Sequence, residues 1–207
     1  MESTINSRSK GIVSNLHEYT FHILGCGAIG SSAAIQLART GAERFSFYDP
    51  DEVGIENVGV SQYDMSHLGM LKVDALERIL STICDDVGVF KYPELFEVYK
   101  PYKNDVIILG FDNMKARLDA VQAILLNRVC PKLIIDGRMG SESYQQYSFN
   151  GKNITEKNYR DCWYSDDDAS TEPCTRKATS YCSNMAGSFM TNTVGRVLNK
   201  LEHSKEI

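Results

Sequence analysis

The sequence predicts an α/β fold: a doubly wound, mostly parallel sheet with helices on both faces and a late, antiparallel edge strand. Three observations predict it. A glycine run, Gly25-Cys26-Gly27-Ala28-Ile29-Gly30, follows an apolar strand-like stretch, Phe21 to Leu24, and opens a helix-like one. Apolar runs then alternate with helical patterns in a βαβ rhythm. Val106 to Leu109 is short and continuously apolar, as a parallel strand covered on both faces must be. With 207 residues and 23.2 kDa, the chain is long enough for a substantial core, and 1–207 is read as one domain.

The elements follow in order. A strand near 20–25 leads into a helix near 28–40, which Gly41 ends, and Phe45 to Tyr48 forms the next strand. A helix over 68–83 carries Val73, Leu76, Leu80 and Ile83 on one stripe, so it covers a sheet face, with Lys72 beside the stripe. After the strand Val106 to Leu109 comes Asp112. The helix from Asn113 to about Arg128 places Met114, Leu118, Val121 and Leu125 at helical spacing, and Pro131 prevents its extension. Leu133 to Ile135 is another buried strand, and the mixed aromatic stretch Ser143 to Phe149 fits the antiparallel edge. Residues 150–176 lack periodicity and form a long loop, whose acidic run Asp166-Asp167-Asp168 is expected to face solvent. A closing helix, about Ser180 to Leu201, carries small residues Ala186, Gly187 and Ser188 that allow close approach to a neighbour.

Composition excludes several classes. A formal net charge of -5, a pI near 5.4 and the lack of a basic stripe argue against a nucleic-acid surface. The first ten residues are polar, and no apolar run approaches the roughly 20 residues that cross a bilayer, so a soluble protein without a membrane role is expected. Six irregularly spaced cysteines fit reduced thiols and a cytoplasmic setting. Cys26, Cys84 and Cys130 fall in expected core elements and read as small apolar fillers, and the four histidines form no cluster.

The glycine run has a chemical reading. Gly25 permits a tight turn, Gly27 lets phosphate oxygens approach bare backbone, and Gly30 lets the helix pack on its strand, while amides at the helix start, from Ala28 and Ile29 onward, face an anion. Asp49 ends the second strand about 20 residues later, where a Rossmann-like fold places a carboxylate for ribose hydroxyls. To this point an NAD reader fits equally well. The loop Asp49-Pro50-Asp51 running to Asn57, then Lys72, then Asp112 change the balance. Cleaving ATP between its α and β phosphates needs a cation near the phosphates and a carboxylate to hold Mg²⁺, roles open to Lys72 and Asp112. Each residue also has a plainer reading: Asp112 as a helix N-cap, Lys72 as a solvated helix residue, Asp49, Asp51 and Asn57 as turn formers.

In this ordered combination, over Phe21 to Leu201, the chain resembles the ThiF-type adenylyltransferases, the superfamily of ubiquitin-activating enzymes and bacterial sulfur-carrier adenylyltransferases. The resemblance implies a glycine loop at Gly25, Gly27 and Gly30, a ribose-binding Asp49, a nucleotide-covering loop with Asp51 and Asn57, a phosphate-binding Lys72 and a magnesium-binding Asp112. It implies ATP and Mg²⁺ as cofactors, adenylation of the C-terminal carboxylate of a small ubiquitin-like or sulfur-carrier protein, and a homodimer in which Arg8 reaches the partner's pocket. Two departures stand out. Val60 takes the place of an arginine usual three residues after the loop asparagine. The two C-x-x-C pairs that bind zinc in many bacterial relatives are missing, so no structural zinc is expected. Pro173-Cys174-Thr175 resembles the setting of the thioester-forming cysteine of ubiquitin-activating enzymes, and Arg176 and Lys177 would favour a thiolate there. Cys174 also aligns with a zinc position of the bacterial relatives, so nucleophile and inert loop thiol both stand, with Cys182 as the spare thiol. A non-catalytic subunit or scaffold, and adenylation of a different carboxylate, are the competing functions.

Overall fold

Strands β1 (Thr20–Leu24), β2 (Arg44–Tyr48), β3 (Gly88–Tyr92), β4 (Asp105–Leu109), β5 (Leu133–Met139) and β6 (Tyr144–Asn150) form a sheet in the order β3-β2-β1-β4-β5-β6. All neighbouring pairs are parallel except β5 and β6, the expected antiparallel edge. The computed structural model describes residues 12–13, 15–168 and 178–203, with Asp168 and the last three by backbone alone.

Helices cover both faces because crossovers from β1 run in opposite directions along the sheet. On one face, α1 (Ala28–Arg39), α3 (Lys72–Ser81) and α6 (Ser180–His203) bury a core that includes Phe21, Ile23, Phe45, Phe47, Leu76 and Leu198. On the other, α4 (Met114–Leu125) and α5 (Glu156–Arg160) close over Leu24, Ile107, Leu109, Val121 and Ile134. The two neighbours of β1, β2 and β4, therefore lead to opposite faces and leave a crevice at their carboxyl ends, where ligands bind in open α/β sheets.

Of the small residues read from the closing helix, Ala186 and Gly187 are buried and Gly187 allows close approach, whereas Ser188 is exposed. A Cβ on Gly187 would lie 2.3 Å from Ser32 Oγ and 2.8 Å from the Ala33 nitrogen of α1. Gly187→Val is expected to prise α6 from α1 at a cost of about 2 kcal/mol, seen as a lowered thermal midpoint. An unchanged midpoint would show that the two helices slide without strain.

Several expectations are corrected. β3 was not legible as a strand: it lies at the sheet edge, only half covered, so its residues follow neither a continuous apolar run nor strict alternation. The stretch 150–176 is not loop throughout, since α5 forms there behind a Thr155 cap whose Oγ1 accepts from Asn158 N at 3.2 Å, and Tyr159 of this helix is fully buried. Asp166 does not simply face water, because its carboxylate accepts the Met114 and Lys115 amides at 2.6 and 3.2 Å. The start of α4 carries unpaired N–H groups and positive dipole, which an acid arriving from a distant loop satisfies. Cys130 is exposed and is no core filler, whereas Cys26 and Cys84 are buried.

Candidate functional site

The crevice begins where β1 stops. Gly25 adopts a φ of +90°, and a Cβ there would lie 2.9 Å from the Gly110 carbonyl carbon and oxygen. Its N–H donates to Tyr48 O at 2.9 Å, and Gly110 N–H donates to Leu24 O at 2.8 Å, so the turn is stitched to the ends of β2 and β4. Gly30, inside α1, packs so closely that its Cβ would lie 1.9 Å from Gly25 O. Gly27 caps α1, and a Cβ on it would meet nothing within 4 Å. The loop is thus tight where it touches protein and open where a phosphate would approach. Gly110 is a glycine of this site that sequence reasoning missed; its position just past the buried run Val106 to Leu109 was the available signal.

Acids and a lysine stand beside that loop. Asp49, at the end of β2, is 6% exposed; its Oδ2 accepts Cys26 N–H at 2.8 Å and its Oδ1 accepts Asp51 N–H at 3.0 Å. One carboxylate therefore pins both the glycine loop and the Asp-Pro-Asp turn. Lys72 opens α3 and is 8% exposed, with Nζ 2.6 Å from Asp51 Oδ2 and 3.5 Å from Asp49 Oδ1. It is not the solvated helix lysine of the plainer reading. Burial works against its charge, but the hydrogen bond to Asp51 and the field of Asp49 prevail, and the ammonium is held above its ordinary 10.5. Asp49, deeper and sharing that lysine with Asp51, has its carboxyl raised by burial despite the two amides and the cation.

The sign of the Lys72 shift fixes a pH dependence. A raised folded value means the ammonium's contribution to stability is fully present below pH 10.5 and is lost as pH rises through the higher folded value. Stability of wild type relative to Lys72→Met is accordingly expected to be level through neutral pH and to fall in the alkaline limb of pH-dependent denaturation.

Asp112 lies across the crevice from β2, two residues past Gly110. It is exposed, and its Oδ1 accepts a hydrogen bond from Nδ2 of its neighbour Asn113 at 3.1 Å. The helix cap is Asn113, whose Oδ1 accepts Ala116 N–H at 2.7 Å, so the plainer reading of Asp112 as the cap is displaced by one residue. Asp112 is left facing outward with its carboxylate uncommitted to the helix. A lone carboxylate fits Mg²⁺, which keeps several waters and takes one or two protein carboxylates plus substrate phosphates. Among the described residues no group of three or more acids, cysteines and histidines gathers as a metal site.

The corner that carries Asp112 is held from beneath. Arg117 of α4, 3% exposed, donates to Leu109 O at 3.3 Å, to Phe111 O and to Asp136 of β5. Asp136 also accepts Arg138 Nε and Nη2 at 2.9 and 2.7 Å and Tyr159 O–H at 2.9 Å. This two-arginine, one-carboxylate network was not read from the sequence, because its members lie on β5, α4 and α5.

Asn57 serves its own turn: Oδ1 accepts Gly54 N–H at 2.9 Å in a capping box around α2 (Ile55–Val58). Val60 O accepts Ser183 Oγ–H at 2.7 Å, and Gln62 Nε2 donates to Asn184 at 3.0 Å, so the loop over the crevice is tied to the start of α6. Cys182 is buried, its thiol raised by burial first and by Glu142 second, which removes it as a spare nucleophile. Arg8 and Cys174 lie outside the described residues.

The tight glycine turn at the β1/β4 switch point and the acid at the end of β2 define a nucleotide-binding Rossmann fold. Its family is equally plain. The chain belongs to the ThiF family, whose model matches residues 5–206. It is 29% identical over 143 residues to ubiquitin-like modifier-activating enzyme 5 of Oryza sativa subsp. japonica, a match covering 59% of this chain and 32% of that protein. It is 30% identical over 116 residues to tRNA threonylcarbamoyladenosine dehydratase of Bacillus subtilis, covering 53% of this chain and 46% of the relative. The chain thus spans less than half the length of either. The fold is shared with E. coli tRNA N6-threonylcarbamoyladenosine dehydratase, TcdA, at a TM-score of 0.70 and 14% identity over 98% of this chain and 99% of that one. It is shared too with E. coli MccB, crystallised with ATP, at 0.69 and 14% over 97% and 64%.

Proposed function

We propose that the protein adenylates a carboxylate with ATP, the acceptor being the C-terminal tail of a small ubiquitin-like or sulfur-carrier protein. The observation that carries this reading is Lys72: a nearly buried ammonium, kept charged by Asp49 and Asp51, beside a glycine loop that is open only at Gly27. Names of the relatives support it, as does the ATP-bound MccB of the same fold.

In the proposed reaction an acceptor carboxylate oxygen forms a bond to the α phosphorus, the bond from that phosphorus to the α–β bridging oxygen breaks, and pyrophosphate leaves with the electron pair. Amides at the start of α1 bind phosphate oxygens. Asp49 keeps lone-pair capacity beyond its two amides for a ribose hydroxyl. Lys72 turns from Asp51, whose side chain is 64% exposed and readily hydrated, toward the phosphates and offsets charge there. Asp112 would hold Mg²⁺, which when bound supplies charge neutralisation at the phosphates. The same reading makes the protein a cytoplasmic homodimer, with Arg8 entering the partner's pocket and the Cys174 thiolate attacking the acyl carbon of the adenylate, so that a C–S bond forms, the acyl C–O bond to phosphate breaks and AMP leaves.

The experiment is calorimetry with Mg-ATP and ATP–pyrophosphate exchange in the presence of candidate carriers. Asp112→Ala is expected to remove the magnesium dependence of binding and to slow exchange about hundredfold. Exchange that persists undiminished in that variant ends the role given to Asp112. Val60, in place of the family's arginine, favours a second reading, a non-catalytic subunit of the same fold. Wild type that binds no Mg-ATP would establish that alternative over the first. Mass spectrometry after incubation with ATP and carrier tests Cys174: a thioester lost in Cys174→Ser supports it, and an adenylate without a thioester removes it.

A further inference from the structure

Tyr63 has no place in the reading so far, yet its hydroxyl lies between the two halves of the site. Its ring is buried, 3% exposed, in the segment between the Asn57 turn and α3. The O–H donates to Cys26 O at 2.6 Å, with Lys72 O also within reach at 3.3 Å. Burial, with Cys26 and Asp49 adding to it, keeps the phenol well above its ordinary range, so the hydroxyl retains the proton it donates. The consequence is that both polar backbone groups of Cys26 are held from outside the glycine loop: N–H by Asp49 and C=O by Tyr63. Both backbone groups of Lys72 are held as well, N–H by Asp51 O and C=O within reach of Tyr63.

From this geometry we infer that Tyr63 is a positioning residue for nucleotide binding, a tether that sets the spacing between the phosphate-facing amides of the glycine loop and the Lys72 ammonium. The inference rests on the adenylation reading for its ligand, but not for its geometry. Cys26 lies next to Gly27, the open position of the loop, and Lys72 is the first residue of α3. One hydroxyl thus couples two elements that approach the same anion from different sides. Without it the loop and the start of α3 remain joined only through Asp49 and Asp51, and a ligand that needs both must order them further on binding.

Tyr63→Phe removes the oxygen and keeps the ring. Hydrogen exchange and Mg-ATP calorimetry are measured on wild type, Tyr63→Phe and Lys72→Ala. Tyr63→Phe is expected to speed amide exchange about tenfold in both the Cys26–Gly30 and Lys72–Ala75 segments, the effect of one buried acceptor losing its donor, with β4 amides unchanged. Its Mg-ATP affinity is expected to fall about tenfold for the same reason. Wild-type exchange in both segments, an equal acceleration in β4, or unaltered affinity in a protein whose Lys72→Ala variant binds weakly would each overturn the tether. Absence of Mg-ATP binding by wild type would instead end the adenylation reading and the positioning role with it, while the exchange rates still decide the tether. Should Tyr63→Phe not fold, 3-fluorotyrosine at position 63 retains the shape and donates more strongly. Slower exchange in the two segments then supports the tether, and equal or faster exchange overturns it.

Discussion

Asp136→Ala is expected to lower the free energy of unfolding by about 4 kcal/mol, the scale on which removing one partner from a buried ion pair destabilises a fold. The carboxylate is fully buried and is shared by Arg117 and Arg138, themselves 3% and 5% exposed, with Tyr159 donating a further hydrogen bond. Alanine would leave two buried guanidinium groups with carbonyl acceptors but without their shared counter-charge. Against a typical margin of about 5–15 kcal/mol, this is a large fraction. The damage reaches the crevice, because Arg117 also holds the carbonyls of Leu109 and Phe111 on either side of Gly110. Denaturant unfolding followed by circular dichroism measures the loss, and fluorescence of Trp163, whose indole N–H donates to Met114 O at 2.8 Å, reports the α4 corner. Asp136→Asn keeps one acceptor without the charge and is expected to lose about half as much. A midpoint for Asp136→Ala equal to that of wild type would refute the account of the network.

Gly30→Ala is the second change with a large expected effect, and Gly27→Ala is its control. A methyl group at Gly30 would overlap Gly25 O at 1.9 Å, a backbone atom that moves only with its turn, and crowd Ile23 Cγ2 at 3.0 Å. Either α1 lifts from β1 or the Gly25 turn shifts, at a cost of about 3 kcal/mol. Both responses displace the amides at the start of α1 by roughly an ångström, a misplacement that on the proposed adenylation reading is expected to slow ATP–pyrophosphate exchange about hundredfold. At Gly27 the same methyl group meets no protein atom within 4 Å, so the unfolding midpoint should hold while Mg-ATP binding weakens. If Gly30→Ala unfolds like wild type, the helix is not held against the turn as described. If Gly27→Ala binds Mg-ATP like wild type, phosphate does not approach the open side of the loop.

The legible parts of the protein were those whose physics is local. Hydrophobic periodicity marked α1, α3 and α4, and the continuous apolar run at 106–109 marked the central strand β4. The antiparallel edge at β6 was visible because half-covered strands carry mixed aromatic and polar residues. Edge position also explains why β3 was missed: Lys91, the fourth of its five residues, is free to reach Asp74 of α3 at 2.8 Å, and a lysine there interrupts any apolar run. Of the candidate site, the glycine loop, Asp49, Asp51, Lys72 and Asp112, whose roles belong to the proposed function, are readable as an ordered set. Gly110, Tyr63 and the Asp136 network are not, since each acts through a contact with an element distant in the chain.

The amino-acid order alone marked the central strands, the long helices, the glycine turn after β1 and the charged residue types that follow the strands, because these depend on neighbours within a few positions. Tertiary structure decided the states of those groups. It made Lys72 a buried, ion-paired ammonium, left Asp112 uncommitted by giving the cap to Asn113, and turned Asp166 from a loop acid into the partner of the α4 amides. Charge, burial and hydrogen-bond competition are properties of the space around a side chain, and that space is filled by residues that the chain brings together only when it folds.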